Sequence, residues 1–218
     1  MKHTAITMAL FGILSASAAH AQTTAQATTA LNLRAGPGPS AEIVSVIPAE
    51  GEVTVDACLD TDKWCRVSFE GTSGWAYGDY LTVTPDGAAE PVVLYDNREQ
   101  VTVQTVTRED AGGEAALTGG TIGAIAGSLV GGPAGAAIGG VAGATFAAGN
   151  APDEQVTTYV RSNPVDQVYL DGEVVVGAGL PEAVELREVP ESEYVYAYVN
   201  GVPVLADADS RQVVYILR

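Results

Sequence analysis

Histidine and methionine are nearly missing from this sequence, and the few copies are badly placed for chemistry. His3, His20, Met1 and Met8 all fall in the first 21 of 218 residues. Beyond them neither type recurs, and Lys63 is the one lysine. A chain without histidine cannot build a Ser-His-Asp triad, a Cys-His pair or a His-ligated zinc or haem. Cations are scarce as a class. Lys plus Arg comes to 10 against 27 Asp plus Glu, for a formal net charge of −17. That excludes the basic footprint with which a nucleic-acid binder neutralises phosphates, and it disfavours attachment to anionic headgroups.

The first residues have a character of their own. Lys2 and His3 precede an apolar run from Ala5 to Leu14, and small residues close on Ala19-His20-Ala21. A positive start, a short apolar core and an A-x-A ending describe a secretory signal peptide at 1–21, cleaved after Ala21. A membrane anchor would need roughly 20 apolar residues, far more than this run supplies. The expected location is therefore exported, periplasmic or envelope-associated. Neither cysteine lies beside the cleavage site, so no acylated anchor is expected there. Loss of Lys2 takes the charge from −17 to −18.

Four blocks follow by composition. Residues 22–84 are strand-like, and 85–117 form an acidic connector with one alternating run, Val101–Val106, that reads as a strand. Residues 118–149 lie within an uncharged stretch, Ala115 to Pro152, and 153–218 are rich in Val and Tyr. In the first block, alternation gives strands at Leu31–Arg34, Ile43–Ile47, Glu52–Leu59, Trp64–Phe69 and Gly74–Tyr77. Between the first two, Gly36-Pro37-Gly38-Pro39 fixes a turn, where φ is positive or locked. A dinucleotide-binding reading of this Gly-x-Gly fails, because the prolines remove phosphate-facing N–H groups and no long helix follows.

The run Leu31-Asn32-Leu33-Arg34-Ala35-Gly36-Pro37-Gly38 resembles the opening signature of bacterial SH3 (SH3b) domains. Lys63-Trp64-Cys65-Arg66-Val67 and Gly74-Trp75-Ala76-Tyr77-Gly78-Asp79-Tyr80-Leu81 resemble that family's central and closing motifs, in the expected order. The resemblance covers residues 27–84. It implies a small, non-catalytic β-barrel that binds peptidoglycan, peptides or envelope proteins.

Cys58 and Cys65 flank a turn at Asp60–Lys63, which puts them on neighbouring strands of one hairpin. In an exported chain this pair reads as a disulfide. A redox pair would call for the closer Cys-x-x-Cys spacing. Trp64, Trp75, Tyr77 and Tyr80 are the aromatics available to stack on a sugar or an extended peptide. The competing fate is core packing, with Tyr77 and Tyr80 expected to stay partly exposed.

The glycines are concentrated, with 13 of 25 between Gly112 and Gly149. Gly119, Gly123, Gly127, Gly131, Gly135, Gly139 and Gly143 recur at spacing four, which bares one face of a helix. Gly131-Gly132-Pro133 divides the block into two arms of a hairpin. The pattern at 118–149 resembles the glycine-zipper segments of bacterial envelope proteins, which implies membrane association or a homo-oligomer. A flexible linker is the alternative.

In the last block, Val156–Arg161, Val165–Leu170, Tyr194–Val199, Val202–Leu205 and Val213–Leu217 read as strands. Asn200-Gly201 forms a tight hairpin turn, and the alternating tyrosines share one face. Gly177, Leu180-Pro181, Tyr196–Gly201, Val204-Leu205, Arg211 and Val213–Tyr215 resemble DUF1236, a bacterial envelope domain without an established activity. The same strand pattern resembles a periplasmic nickel/cobalt-homeostasis fold. No metal site is expected, since Asp207 and Asp209 are too close to supply six oxygens.

The fold expected is therefore mainly β: a small SH3-like barrel, a glycine-zipper helical hairpin or linker, and a small antiparallel β (α+β) domain. The function expected is non-enzymatic, with no catalytic residues and no cofactor: recognition of peptidoglycan or an envelope protein. The alternative is a periplasmic stress or homeostasis protein whose C-terminal domain binds an ion or small ligand.

Overall fold

The computed structural model describes residues 23–108, 124–128 and 151–218. Residues 1–21, read as a signal peptide, therefore lie outside the described residues. So do Gly119, Gly123, Gly131, Gly135, Gly139 and Gly143.

The first half is one nine-stranded sheet with the order β3-β2-β6-β5-β4-β1-β7-β8, and β9 pairs with β4. Its strands are β1 (Thr23–Ala27), β2 (Leu31–Arg34), β3 (Ile43–Ile47), β4 (Glu52–Leu59), β5 (Trp64–Phe69), β6 (Thr72–Tyr77), β7 (Leu81–Val83), β8 (Val92–Val93) and β9 (Gln104–Val106). Period-two alternation sets which face is buried. In β4, Val53, Val55 and Ala57 point into the core, while Thr54 and Asp56 are half-buried. β2 breaks the rule, because all four of its residues are buried. Leu31 and Leu33 face the core of the first half. Asn32 and Arg34, which alternation assigns to solvent, are covered by the second half of the chain.

That second half contains β10 (Ala124–Ser128), α1 (Glu154–Ser162), β11 (Gln167–Asp171), β12 (Arg187–Glu188), β13 (Tyr194–Val199), β14 (Val202–Asp207) and β15 (Val213–Ile216). The sheet order is β10-β11-β13-β14-β15, with β12 on β13. β13 and β14 form a hairpin closed by Asn200 and Gly201, with φ of 51° and 88°. Positive φ at both central residues is what the tight turn demands. Arg211, also at positive φ (57°), donates to the carbonyls of Leu180, Pro181 and Val184 and fastens the loop at 180–184 to the turn before β15.

Two expectations are corrected here. Val156–Arg161, read as a strand, lies in α1. Val156 and Val160 stand four apart on one helical face and are buried with Tyr196, Leu205 and Leu217. Burial of that stripe overrides the β-preference of its branched residues. The tyrosine face of β13 is covered by the same helix, Tyr198 Oη donating to the Val160 carbonyl at 3.1 Å. In the glycine-rich block, the described residues 124–128, which include Gly127, are extended and pair in parallel with β11. A helical hairpin or a flexible linker was expected across this block, and the helical reading does not hold for these five residues. Each glycine weakens a helix by about 1 kcal/mol relative to alanine, and the sheet edge offers the backbone other partners.

The two halves share a core. One buried apolar cluster includes Leu31, Leu33 and Val67 of the first half with Leu170, Val174 and Val199 of the second. Among the described residues no helix is long and apolar enough to cross a membrane.

Candidate functional site

The polar centre of the molecule lies where β2 meets the second half. Glu173 follows Gly172, whose φ of 92° turns the chain after β11 and aims the carboxylate at β2. Arg34 grips it at two points, Nε donating to Oε2 and Nη2 to Oε1, the latter at 2.8 Å. Oε1 also accepts from Asn32 Nδ2 at 3.1 Å and from the Val174 N–H at 3.0 Å. The remaining donors of Arg34 reach the carbonyls of Ala41 (2.7 Å) and Asn200 (2.8 Å). Asn200 in turn bonds the backbone of Leu170 and Gly172 through its side chain. Arg218 closes the rim, donating to Asn32 Oδ1 at 3.1 Å and to the Ala30 carbonyl. Every group in this network has a partner, the condition under which a buried ion pair is tolerated.

The aromatic residues singled out from the sequence form a second, adjoining cluster. Trp64 and Trp75 are buried with Leu59. Tyr77 packs edge-on to Trp64, with ring centroids 5.5 Å apart, and tilts against Tyr80 at 5.9 Å. Tyr80, expected partly exposed, is 6% exposed; Tyr77 is half-buried and rests against Gly172. Burial, with Asp79 adding to it, raises both phenol pKa values above the ordinary range. Lys63 is raised by its hydrogen bond to Asp79, at 2.7 Å. Cys58 and Cys65 are joined by the expected disulfide, opposite each other on β4 and β5.

A third feature is open. A cavity of about 1020 Å³ is framed by β1, β4 and the segments after β7 and before β9, and Arg66 of β5 lines it. Its apolar parts are Val55, Val83, Val101 and Val103, set among threonines and glutamines with Asp56 and Asp86.

Residues 29–82 match the family model for a bacterial SH3 domain. Residues 159–218 match that for a domain of unknown function, DUF1236. No curated protein and no solved structure matches the chain. The Arg34–Glu173 pair thus joins the two matched regions, with Asn32 on one side and Asn200 and Arg218 on the other. Sequence reading missed the partnership. Its one local trace is Glu173 itself, a carboxylate set between Gly172 and the apolar run Val174-Val175-Val176.

Proposed function

We propose that this chain is an exported, non-enzymatic protein of the bacterial envelope whose SH3 module works by binding, toward peptidoglycan or a protein partner. The observation that carries the reading is how the module recognises its own second half. Arg34 and Asn32, both within the SH3 signature, hold a single carboxylate presented on a turn. That is non-covalent recognition of a carboxylate by a charge-assisted fork, with no nucleophile and base brought together. Export is supported by the signal-like first 21 residues and by the disulfide. The absence of histidine beyond residue 21 and the joining of both cysteines support a non-enzymatic role.

With the interdomain face filled and three of the four aromatics buried, an outside partner would meet other surfaces, the open cavity among them. The test has two arms on the full chain: co-sedimentation with purified peptidoglycan sacculi, and crosslinking in intact cells followed by mass spectrometry. Saturable retention on sacculi, or one recurrent crosslinked envelope protein, is the expected result. Failure in both arms would overturn the reading.

A further inference from the structure

The outer edge of β4 is shared by two strands. β1 pairs antiparallel with residues 52–55, and β9 pairs parallel with Ala57, Cys58 and Leu59. Asp56 falls between them. The β4–β5 register also slips at this point, Val55 facing Val67 and Ala57 facing Arg66. A bulge of this kind re-aims the side chain it carries. The cavity opens at this junction, and its rim is tied by Thr23 Oγ1 donating to the Val101 carbonyl at 2.9 Å.

Charge singles out the same place. In a chain of net charge −17, the cations of the first half are spoken for. Arg34 pairs with Glu173, Lys63 with Asp79 and Arg108 with Asp62. Arg98 lies over the Tyr95 ring, 3.6 Å from its centroid. Arg66 is the exception. Half-buried in the cavity wall, its side chain makes no hydrogen bond or ion pair with any described residue, and the carboxylates of Asp56 and Asp86 in the same cavity are likewise uncommitted. A guanidinium and two carboxylates thus line one concave site without being paired to each other.

Backbone strain marks the rim. Thr102 sits at φ 57°, the one β-branched side chain among the described non-glycine residues at positive φ. That conformation is an outlier for a branched residue, and such outliers concentrate at ligand clamps.

We propose that this groove is a binding site for a short extended peptide with free termini. Its carboxylate is taken by Arg66 and its ammonium by Asp56 and Asp86. Its side chains lie on Val101 and Val103, the half-buried valines of the rim. The single cation suits one carboxylate and not a polyanion, which the two aspartates and the overall charge repel. A partly apolar concavity with a few convergent polar groups is the common form of a small-ligand site. The proposal rests on the binding-module reading above and assigns it a site.

The probe is a pool of random-sequence tripeptides in free, C-terminally amidated and N-acetylated forms, equilibrated with the full chain by dialysis. Retention on sacculi is measured alongside. Saturable uptake of the free form is expected, reduced about tenfold or more by amidation, the worth of one charge-assisted contact. Arg66→Ala removes the discrimination between free and amidated forms, and Arg66→Lys restores part of it. Asp86→Asn, at an exposed position, weakens discrimination against the acetylated form and serves if Arg66→Ala does not fold. Equal uptake of free and amidated pools, or no saturable uptake, overturns the groove assignment. If sacculus retention or the crosslinked protein persists in that case, the binding reading stands without this site; if neither does, both fall.

Discussion

Arg34 and Glu173 are 139 residues apart in sequence, yet they form a two-point ion pair with 1% and 0% of their side chains exposed. Such a pair has paid a large desolvation cost, so its net contribution to stability is small. Its role is to specify which surfaces meet, since each partner is stranded if the other is lost. Arg34→Met and Glu173→Met, made singly, are each expected to destabilise the chain by about 3–5 kcal/mol. The double substitution should recover most of that loss. Urea denaturation of the four proteins gives the coupling free energy. Additive single losses would show that the pair does not specify the contact.

Tyr77 and Tyr80 lie beside this interface and link it to pH. Burial raises both phenols from the ordinary value of 10.0, so the folded state favours their neutral forms. The folded chain then holds protons that the unfolded chain releases, and stability falls as the pH rises. Their contribution is whole below pH 10.0 and is lost above it. Tyr80→Phe should flatten the fall in melting temperature above about pH 10, relieving at most about 1.4 kcal/mol per pH unit. Below that pH its slope should match the parent. Parallel slopes for parent and variant throughout would show that Tyr80 ionisation does not limit alkaline stability.

What was legible in the sequence was local. The spans Ile43–Ile47, Glu52–Leu59 and Trp64–Phe69 read from alternation are the observed strands, because a half-buried strand writes its period into the chain. The Asn200-Gly201 turn was legible for another local reason, both residues tolerating the positive φ it needs. Where distant groups decide, reading failed. Val156–Arg161 carries strand-forming residues, but the tyrosine face of β13 offers Val156 and Val160 a surface that suits a helix. Val101–Val106 was read as one strand, yet only Gln104–Val106 is a strand, since Thr102 at φ 57° turns the chain before it. Arg34 was visible as part of a signature, but Glu173 was not singled out, because no periodicity encodes a contact across 139 residues.

The disulfide clips the hairpin that carries both Trp64 and the cavity wall. Cys58 and Cys65 are 7 residues apart in sequence and lie opposite each other on β4 and β5. In the chain-entropy account, closing so short a loop stabilises by about 2 kcal/mol. Cys58→Ser with Cys65→Ser should lower stability by about that much, plus the cost of placing two hydroxyls in fully buried positions. Replacing both by alanine should come closer to the bare loop term. Denaturant midpoints of the two double variants, with and without reductant on the parent, separate these contributions. A parent unmoved by reductant would show that the bridge is inaccessible or adds nothing.

Gly71 and Gly74 look alike in the sequence Gly71-Thr72-Ser73-Gly74, but they answer to different constraints. Gly71 has φ 82° with open space where a Cβ would stand, so alanine meets only backbone strain, worth about 1 kcal/mol. At Gly74 a Cβ would come within 2.7 Å of both the Arg34 carbonyl and Leu33 Cγ. The carbonyl belongs to β2 and cannot yield without shifting the strand that holds the Glu173 carboxylate. Gly74→Ala should therefore cost about 1–3 kcal/mol from overpacking alone. It should also weaken the interdomain contact, lowering the coupling measured between Arg34 and Glu173. Gly71→Ala should leave that coupling unchanged. A Gly74→Ala protein with unaltered coupling would show that β2 can move away from β6 without loosening its hold on Glu173.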